Sequence, residues 1–440
     1  MASLLIRGGT VLTMNDRLDI VEGDVSVRDG RIESVGCAGS SRHDTVLDAS
    51  GALVLPGFVQ THVHLCQTLF RGFADDLALI EWLRTRIWPM EAAHTPASLR
   101  VSARLAACEL LSGGTTSVLT METVHDTDAI FEEVAAAGLR AVVGKCLMDA
   151  DANVPGRLLQ PARAAIDESL ALHRRWDGAA GGRIRAAFAP RFAVSCSRDL
   201  LEEVGSLSSS RGVLVHTHAS EQQAEIDIVE RQTGKRNIEY FEAIGLASER
   251  LCVAHCVWVD EREQAILASR RVKVLHCPGS NLKLGSGIAP VAELRARGIS
   301  VSLGADGAAC NNRLDMFDEM RLAAVLQSVR LGPGALPARD AIWMATREGA
   351  RALGLESDIG SVERGKQADL IVVALDRPHL APGRDPYSTL VYSARGTDVR
   401  HTVVGGQVLV RDSRPVHMDP AEVAADARAE AAALLARAGI

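Results

Sequence analysis

No CxxC pair occurs among the nine cysteines of this 440-residue chain, and they are scattered and odd in number. That pattern argues against a disulfide framework and a thiolate zinc site, and it suggests a reducing cytoplasm. A run of about 18 apolar residues is also missing, so no transmembrane helix is expected. The opening stretch MASLLIRGGTVLTMNDR has no apolar core behind a basic start, and no secretory signal is expected. Basic clusters are absent and the formal net charge is -7, which speaks against binding nucleic acid through its phosphates. Neither an internal repeat nor a low-complexity linker interrupts the chain. Hydrophobic residues make up 47% and charged residues 23%, the balance of an ordinary soluble globular protein. The length suits two or three domains, or one large barrel with an accessory.

What is present is alternation. Short β-branched apolar runs, GFVQTH (57–62), TTSVLTM (115–121), LRAVVGKC (139–146) and RIRAAFAP (183–190), come first. GVLVHTH (212–218), RLCVAH (250–255), RVKVLHC (271–277) and GISVSLGAD (298–306) complete a set of eight. Helical patterns separate them. Residues 96–114 carry apolar positions at helical spacing and stop at Gly113-Gly114. Asp260 is placed to cap a helix, and PVAELRARG (290–298) opens with Pro and closes with Gly. Eight strand–helix units over residues 57–359 predict an α/β fold, a (β/α)8 TIM-like barrel. An open doubly wound sheet is the alternative, but no GxGxxG stands at a first strand–helix turn.

The two chain ends differ from the middle. Residues 1–56 and 360–420 hold short strands broken by Gly, Asn and Asp turns, with a hairpin signal at VRDGRI. They predict one small composite β-sandwich domain beside the barrel. The Ala-rich stretch 421–440 predicts a terminal helix.

Polar residues gather where the barrel strands end, the face on which barrel active sites form. His62 and His64 close strand one, His216 and His218 strand five, His255 strand six, His276 strand seven and Asp306 strand eight. Six of the 13 histidines fall at these ends. Residues i and i+2 of a strand share a side, so His62 and His64 can aim at one point. Two imidazoles, a third and a carboxylate would hold Zn²⁺ with room for water. His216 and His218 also share a side, and His218 is chosen as the ligand because it lies nearer the strand end and Glu221. A lone buried histidine is ordinarily a hydrogen-bonded core residue; the joint pattern is what argues for a metal. The offset of Glu221 suits a proton shuttle whose proton affinity is tuned by burial.

The stretches PGFVQTHVHL, HTHASE, VAHCVWVDE, HCPGSNLKLGSGIAPV and LGADGAACNNRLDMFDEMRLA together resemble the amidohydrolase superfamily. They look closest to its aminohydrolase branch of S-adenosylhomocysteine/5'-methylthioadenosine deaminases, guanine deaminases and s-triazine hydrolases. The resemblance covers nearly the whole chain. It implies that His62, His64, His218 and Asp306 bind one metal ion, zinc or alternatively iron. It implies further that Glu221 protonates a ring nitrogen, His255 hydrogen-bonds the attacking oxygen or the intermediate, and Asp306 accepts the water's proton. Binuclear members bridge two metals with a carboxylated lysine, usually from strand four. RIRAAFAPRF has none, and Lys145 lies on strand three, so a mononuclear site is expected. Zinc deaminases of the PCxxC kind are excluded by the lack of that motif.

Substrate cues from the resemblance conflict. IEWLRTRIWPMEAAHTP is similar to an adenosine-type loop in which Glu91 would bind ribose hydroxyls and Trp88 would flank the base or merely pack. KCLMDADANVPGRL is similar to a segment in which Lys145 and Arg157 would meet the carboxylate of S-adenosylhomocysteine. Both could equally be ordinary solvated charges. APRFAVSCS departs from the adenosine-type pattern by placing Arg191 where a histidine is usual, and it resembles guanine deaminases. A guanidinium only donates hydrogen bonds, so Arg191 favours an oxo group on a guanine-like, pterin or triazine ring. His276 matches a family histidine and is grouped with the substrate-facing residues.

The expected reaction is therefore hydrolytic deamination of an amino-substituted N-heterocycle, purine-type, with release of ammonia. Dechlorination or dealkylamination of s-triazines on the same scaffold is the alternative, and a non-catalytic barrel is a third reading that the full ligand set disfavours. The expected partner is a small heterocyclic substrate, without nucleic acid or membrane, and the chain is expected to form a homo-oligomer, dimer or tetramer.

Overall fold

Tight turns divide the first part of the chain into strands. The computed structural model describes residues 3–37, 42–150 and 153–440. β1 (Ser3–Leu12), β2 (Ile20–Arg28) and β3 (Arg31–Gly36) form an antiparallel meander. Asp29 and Gly30 turn the β2–β3 hairpin with φ of 49° and 81°, as the Asp-Gly signal predicts. β4 (Thr45–Asp48) and β5 (Ala52–Pro56) then run parallel to β1 along its other edge.

Eight parallel strands follow, each paired with the next: β6 (Phe58–Val63), β7 (Thr115–Met121), β8 (Arg140–Leu147), β9 (Ile184–Pro190), β10 (Val215–Ala219), β11 (Leu251–His255), β12 (Lys273–His276) and β13 (Val301–Leu303). Helices cover their outer side, so the strands are buried on both faces and read as continuous apolar runs. The ring is nearly closed between β13 and β6. The Thr61 hydroxyl donates to the Leu303 carbonyl at 2.9 Å, and Asp306 N–H donates to the His62 carbonyl at 3.0 Å. Gly304 makes that approach possible: a Cβ there would stand 2.6 Å from the His62 carbonyl oxygen. The eighth strand is shorter than its sequence suggests because residues 304–306 peel away, with Asp306 in the left-handed region at φ 64°.

The chain then returns to its first sheet. β14 (Leu370–Ala374), β15 (Val399–Val404), β16 (Gln407–Arg411) and β17 (Arg414–Pro415) follow, and β14 pairs antiparallel with β5. Both ends thus share one nine-stranded sheet. It folds over, since Ile32 N–H donates to the Lys366 carbonyl at 2.8 Å just before β14. Its inner side packs Ile6, Val25, Val54, Val372 and Val403. The helix Pro420–Ala438 closes the chain, and its Arg437 reaches the Ala93 carbonyl at 3.0 Å.

Candidate metal and catalytic centre

The period-two geometry of β6 and β10 delivers the histidines to the barrel mouth. His62, His64, His218 and Asp306 converge there, almost wholly buried apart from a part-exposed edge of His218. His62 Nε2 and His64 Nε2 each lie 3.2 Å from Asp306 Oδ1, and His218 Nε2 lies 3.4 Å from His64 Nε2. Tetrahedral ligands about 2.0–2.1 Å from a zinc ion stand about 3.3 Å from one another, so the spacing is that of a metal cage.

Proton positions strengthen the case. His64 Nδ1 lies 2.7 Å from the Met121 carbonyl, and His218 Nδ1 lies 2.7 Å from the Arg191 carbonyl. A carbonyl only accepts, so both Nδ1 atoms carry the hydrogen. In the neutral rings the Nε2 atoms are then bare acceptors, and those of His64 and His218 are turned toward one another. His62 Nε2 is buried without a hydrogen-bond partner. Imidazole nitrogens and a carboxylate converging in this way are a donor set that a divalent cation takes, and the residues present fit one. Burial depresses His62 to about 4 and pushes His218 well below its ordinary value. Burial also opposes a charge on His64, but Asp306 outweighs it and raises that imidazole. The Asp306 carboxylate, which burial would raise, is held well below its ordinary range by His62 and His64. It also accepts from the Ser280 hydroxyl and from Gly307 N–H, both at 2.7 Å.

Glu221 and His255 face the same point. Glu221 Oε2 is 3.5 Å from His255 Nε2, which is 3.8 Å from Asp306 Oδ2. Burial raises the Glu221 carboxyl, so it holds its proton more tightly than a surface glutamate. His255 Nδ1 lies 2.8 Å from Asn281 Oδ1. Three strand ends reach these positions through left-handed backbone on non-glycine residues: Ser220 at 55°, His255 at 74° and Asp306 at 64°. Each such residue costs roughly 1–3 kcal/mol, and such strain collects at functional sites.

A cleft opens onto these groups. Its apolar wall is Leu79, Trp82, Leu83, Phe192 and Leu284, and Gln67, Arg191 and Glu225 add polar edges. Here the structure departs from several expectations about substrate contacts. Trp88 is buried in the core and Trp82 takes the place at the cleft. The signal was in the sequence, since Leu79, Trp82 and Leu83 share one helical face at i, i+3 and i+4, and Trp88 does not. Glu91 and Arg191, assigned to different parts of a substrate, instead bind each other. The guanidinium donates to both carboxylate oxygens at 2.5 and 3.2 Å, and Gln67 donates to Glu91 at 2.9 Å. Arg191 lines the cleft; Glu91 stands behind it. Lys145 is buried and turned away, donating to Gln160 at 2.8 Å, and Arg157 donates to the His94 carbonyl at 3.1 Å. His276 is buried behind the cleft with both ring nitrogens unpartnered. Glu225, unremarked in the sequence, accepts the Glu221 N–H at 2.9 Å and so fixes the turn that carries that acid.

The barrel, with imidazoles and carboxylates able to hold a metal ion gathered at its strand C-termini, is the arrangement of a metal-dependent hydrolase. The amidohydrolase family model matches residues 53–409. Over 440 residues, the whole of both chains, the protein is 42% identical to a 5'-deoxyadenosine deaminase of Methanosarcina acetivorans. It is 42% identical over 439 residues to a 5-methylthioadenosine/S-adenosylhomocysteine deaminase of Natronomonas pharaonis, covering 100% of this chain and 99% of that one. Among solved structures, an adenosine deaminase from Xanthomonas campestris with bound zinc superposes with a TM-score of 0.93 at 33% identity, with 99% of each chain covered. The chain belongs to the amidohydrolase family.

Proposed function

We propose that the protein is a mononuclear zinc aminohydrolase that removes the exocyclic amino group of an adenine nucleoside altered at its 5' position, as ammonia. The observation that carries the reaction type is the cage of three imidazoles and Asp306 with Glu221 and His255 set beside it. The relatives' activities support the substrate class, and the flat apolar wall around Trp82 and Phe192 suits a purine face. Iron is the other metal this donor set would take.

His62, His64, His218 and Asp306 would hold the ion, which when bound supplies the Lewis acidity that makes water a nucleophile near neutral pH. Asp306 takes the proton of that water and passes it to the amino group, which leaves as ammonia when the carbon–nitrogen bond breaks and the added hydroxyl returns its proton to Glu221. Glu221, whose raised affinity keeps a proton on hand, delivers it to the ring nitrogen beside the attacked carbon. His255 offers Nε2 to the oxygen being added, oriented through Nδ1 by Asn281. A cytoplasmic setting and a homo-oligomer of two or four chains complete the reading; all nine cysteines are free, as a reducing compartment allows.

Ammonia release from a panel of adenosine, 5'-deoxyadenosine, 5'-methylthioadenosine, S-adenosylhomocysteine, guanine, a pterin and an s-triazine tests it. Turnover is expected on the adenine nucleosides. Glu221→Gln should lower kcat by about 10²–10⁴-fold while the metal stays bound. Chloride or alkylamine release from the triazine without ammonia from any purine would replace this reading with the s-triazine one.

A further inference from the structure

One buried histidine at the site has no part in the chemistry above. His216 lies on β10, two residues before the ligand His218, and is fully buried. Its Nε2 stands 2.7 Å from His62 Nδ1, and its own Nδ1 stands 3.2 Å from the Thr120 carbonyl. The two rings meet edge to face, with centroids 4.8 Å apart.

We propose that His216 is a positioning residue that fixes the tautomer and orientation of His62 for metal binding. The direction of the hydrogen bonds follows from the end of the chain. Thr120 offers a carbonyl, which only accepts, so His216 Nδ1 carries a hydrogen. In the neutral ring, Nε2 then has none and must accept. His62 Nδ1 therefore donates, and the bare Nε2 of His62 is the atom left facing Asp306 at 3.2 Å.

The other two ligand histidines set the contrast. Main-chain carbonyls of Met121 and Arg191 orient them, and no substitution removes a carbonyl. Among the described residues, His62 alone of the three depends on a side chain, which makes residue 216 the outer partner that mutation can delete. His216 is not itself a ligand, because its Nε2 is taken up on the side of His62 away from Asp306.

The inference rests on the metal reading but not on the substrate, so its test reads zinc affinity by competition with a chelator. His216→Phe keeps the ring's bulk and loses the acceptor. It should weaken zinc binding by about 10–100-fold, the usual effect of losing a partner behind a ligand. His216→Gln places an amide oxygen near the lost Nε2 and should stay within a few-fold of the parent. Equal zinc affinity in the parent and in a folded His216→Phe protein would overturn the proposal. Should His216→Phe fail to fold, ¹⁵N-histidine NMR of the zinc-loaded parent decides instead: a hydrogen on His62 Nδ1 is expected, and its absence overturns the assignment. A parent chain that takes up no zinc would overturn the metal reading and this inference together, whereas a parent that binds zinc but deaminates nothing in the panel would sink only the substrate.

Discussion

At the scale of single residues, burial decides which carboxyls hold protons. Glu319 is buried, accepts Gly279 N–H at 3.0 Å and Asn311 Nδ2 at 2.8 Å, and has no cation beside it. Burial pushes it from an ordinary 4.5 up to about 8. Below pH 4.5 both folded and unfolded chains carry that proton, and its effect on stability is nil. Between about 4.5 and 8 the unfolded chain loses it first, so the folded state loses stability as pH rises through that window. Glu319→Gln removes this dependence. The variant should gain on the parent in denaturation midpoint when both are moved from pH 5 to pH 8, whatever their offset at pH 5. A pH-independent offset would show that Glu319 is ionised throughout.

Legibility at this scale followed backbone period. His62 and His64 could be assigned to one side of a strand because strands alternate, and Glu221, His255 and Asp306 because they sit at or just past strand ends. Glu319, Glu225 and the pairing of Arg191 with Glu91 could not. Glu319 and the Arg191–Glu91 pair take their meaning from neighbours 40 and 100 residues away that only the closed barrel brings into contact, and Glu225 takes its own from the turn four residues before it. From the sequence Trp88 either flanks the base or packs; in the structure it packs, while Trp82, on the helical face of Leu79 and Leu83, meets the cleft.

Whole elements show the same division. Asp260 is readable as a cap, and its carboxylate accepts Glu263 N–H at 2.9 Å while Glu263 accepts Asp260 N–H at 3.2 Å, a reciprocal box at the start of Glu261–Ser269. What the local pattern hides is that Glu263 is also a buried hub. It accepts Ile238 N–H at 3.0 Å and Arg236 Nε at 2.9 Å, tying this helix to Asn237–Ala243. The two residues of one motif should therefore differ in cost. Asp260→Ala loses a solvent-facing cap, about 1 kcal/mol. Glu263→Ala leaves the buried Ile238 N–H without its acceptor and takes one of two carboxylates from Arg236, and it should cost about 2–4 kcal/mol. Guanidinium denaturation of both variants checks the order, and equal losses would mean that the hub is replaced by water.

Across the whole molecule, barrel and sheet are joined by a buried ion pair far from the catalytic face. Arg140 opens β8 at the strand N-terminal end and donates to Asp369 at 2.6 and 3.0 Å, with side chains 6% and 2% exposed. Asp369 stands just before β14, and it also accepts Gly405 N–H at 2.7 Å while its carbonyl accepts Gly57 N–H at 3.0 Å. One residue thus binds the third barrel strand, the entry to the first and a turn of the terminal sheet. The matching of the two chain ends is legible from their short strands, but this fastening is not, because its partners lie 229 residues apart. Removing one member leaves the other charge buried and unpaired, which costs about 3–5 kcal/mol. Arg140→Met should therefore lower stability by that amount. Adding Asp369→Asn should return part of it, since the amide oxygen can still accept Gly405 N–H and no charge is stranded. Zinc affinity and ammonia release per folded molecule should stay near those of the parent, because Arg140 lies at the N-terminal end of its barrel strand and Asp369 just before β14, whereas His62, His64 and His218 lie at the strand C-terminal ends. A single variant that keeps its stability but loses its metal would show that the sheet holds the strand ends in register through this pair, and that barrel and sheet act as one unit in catalysis.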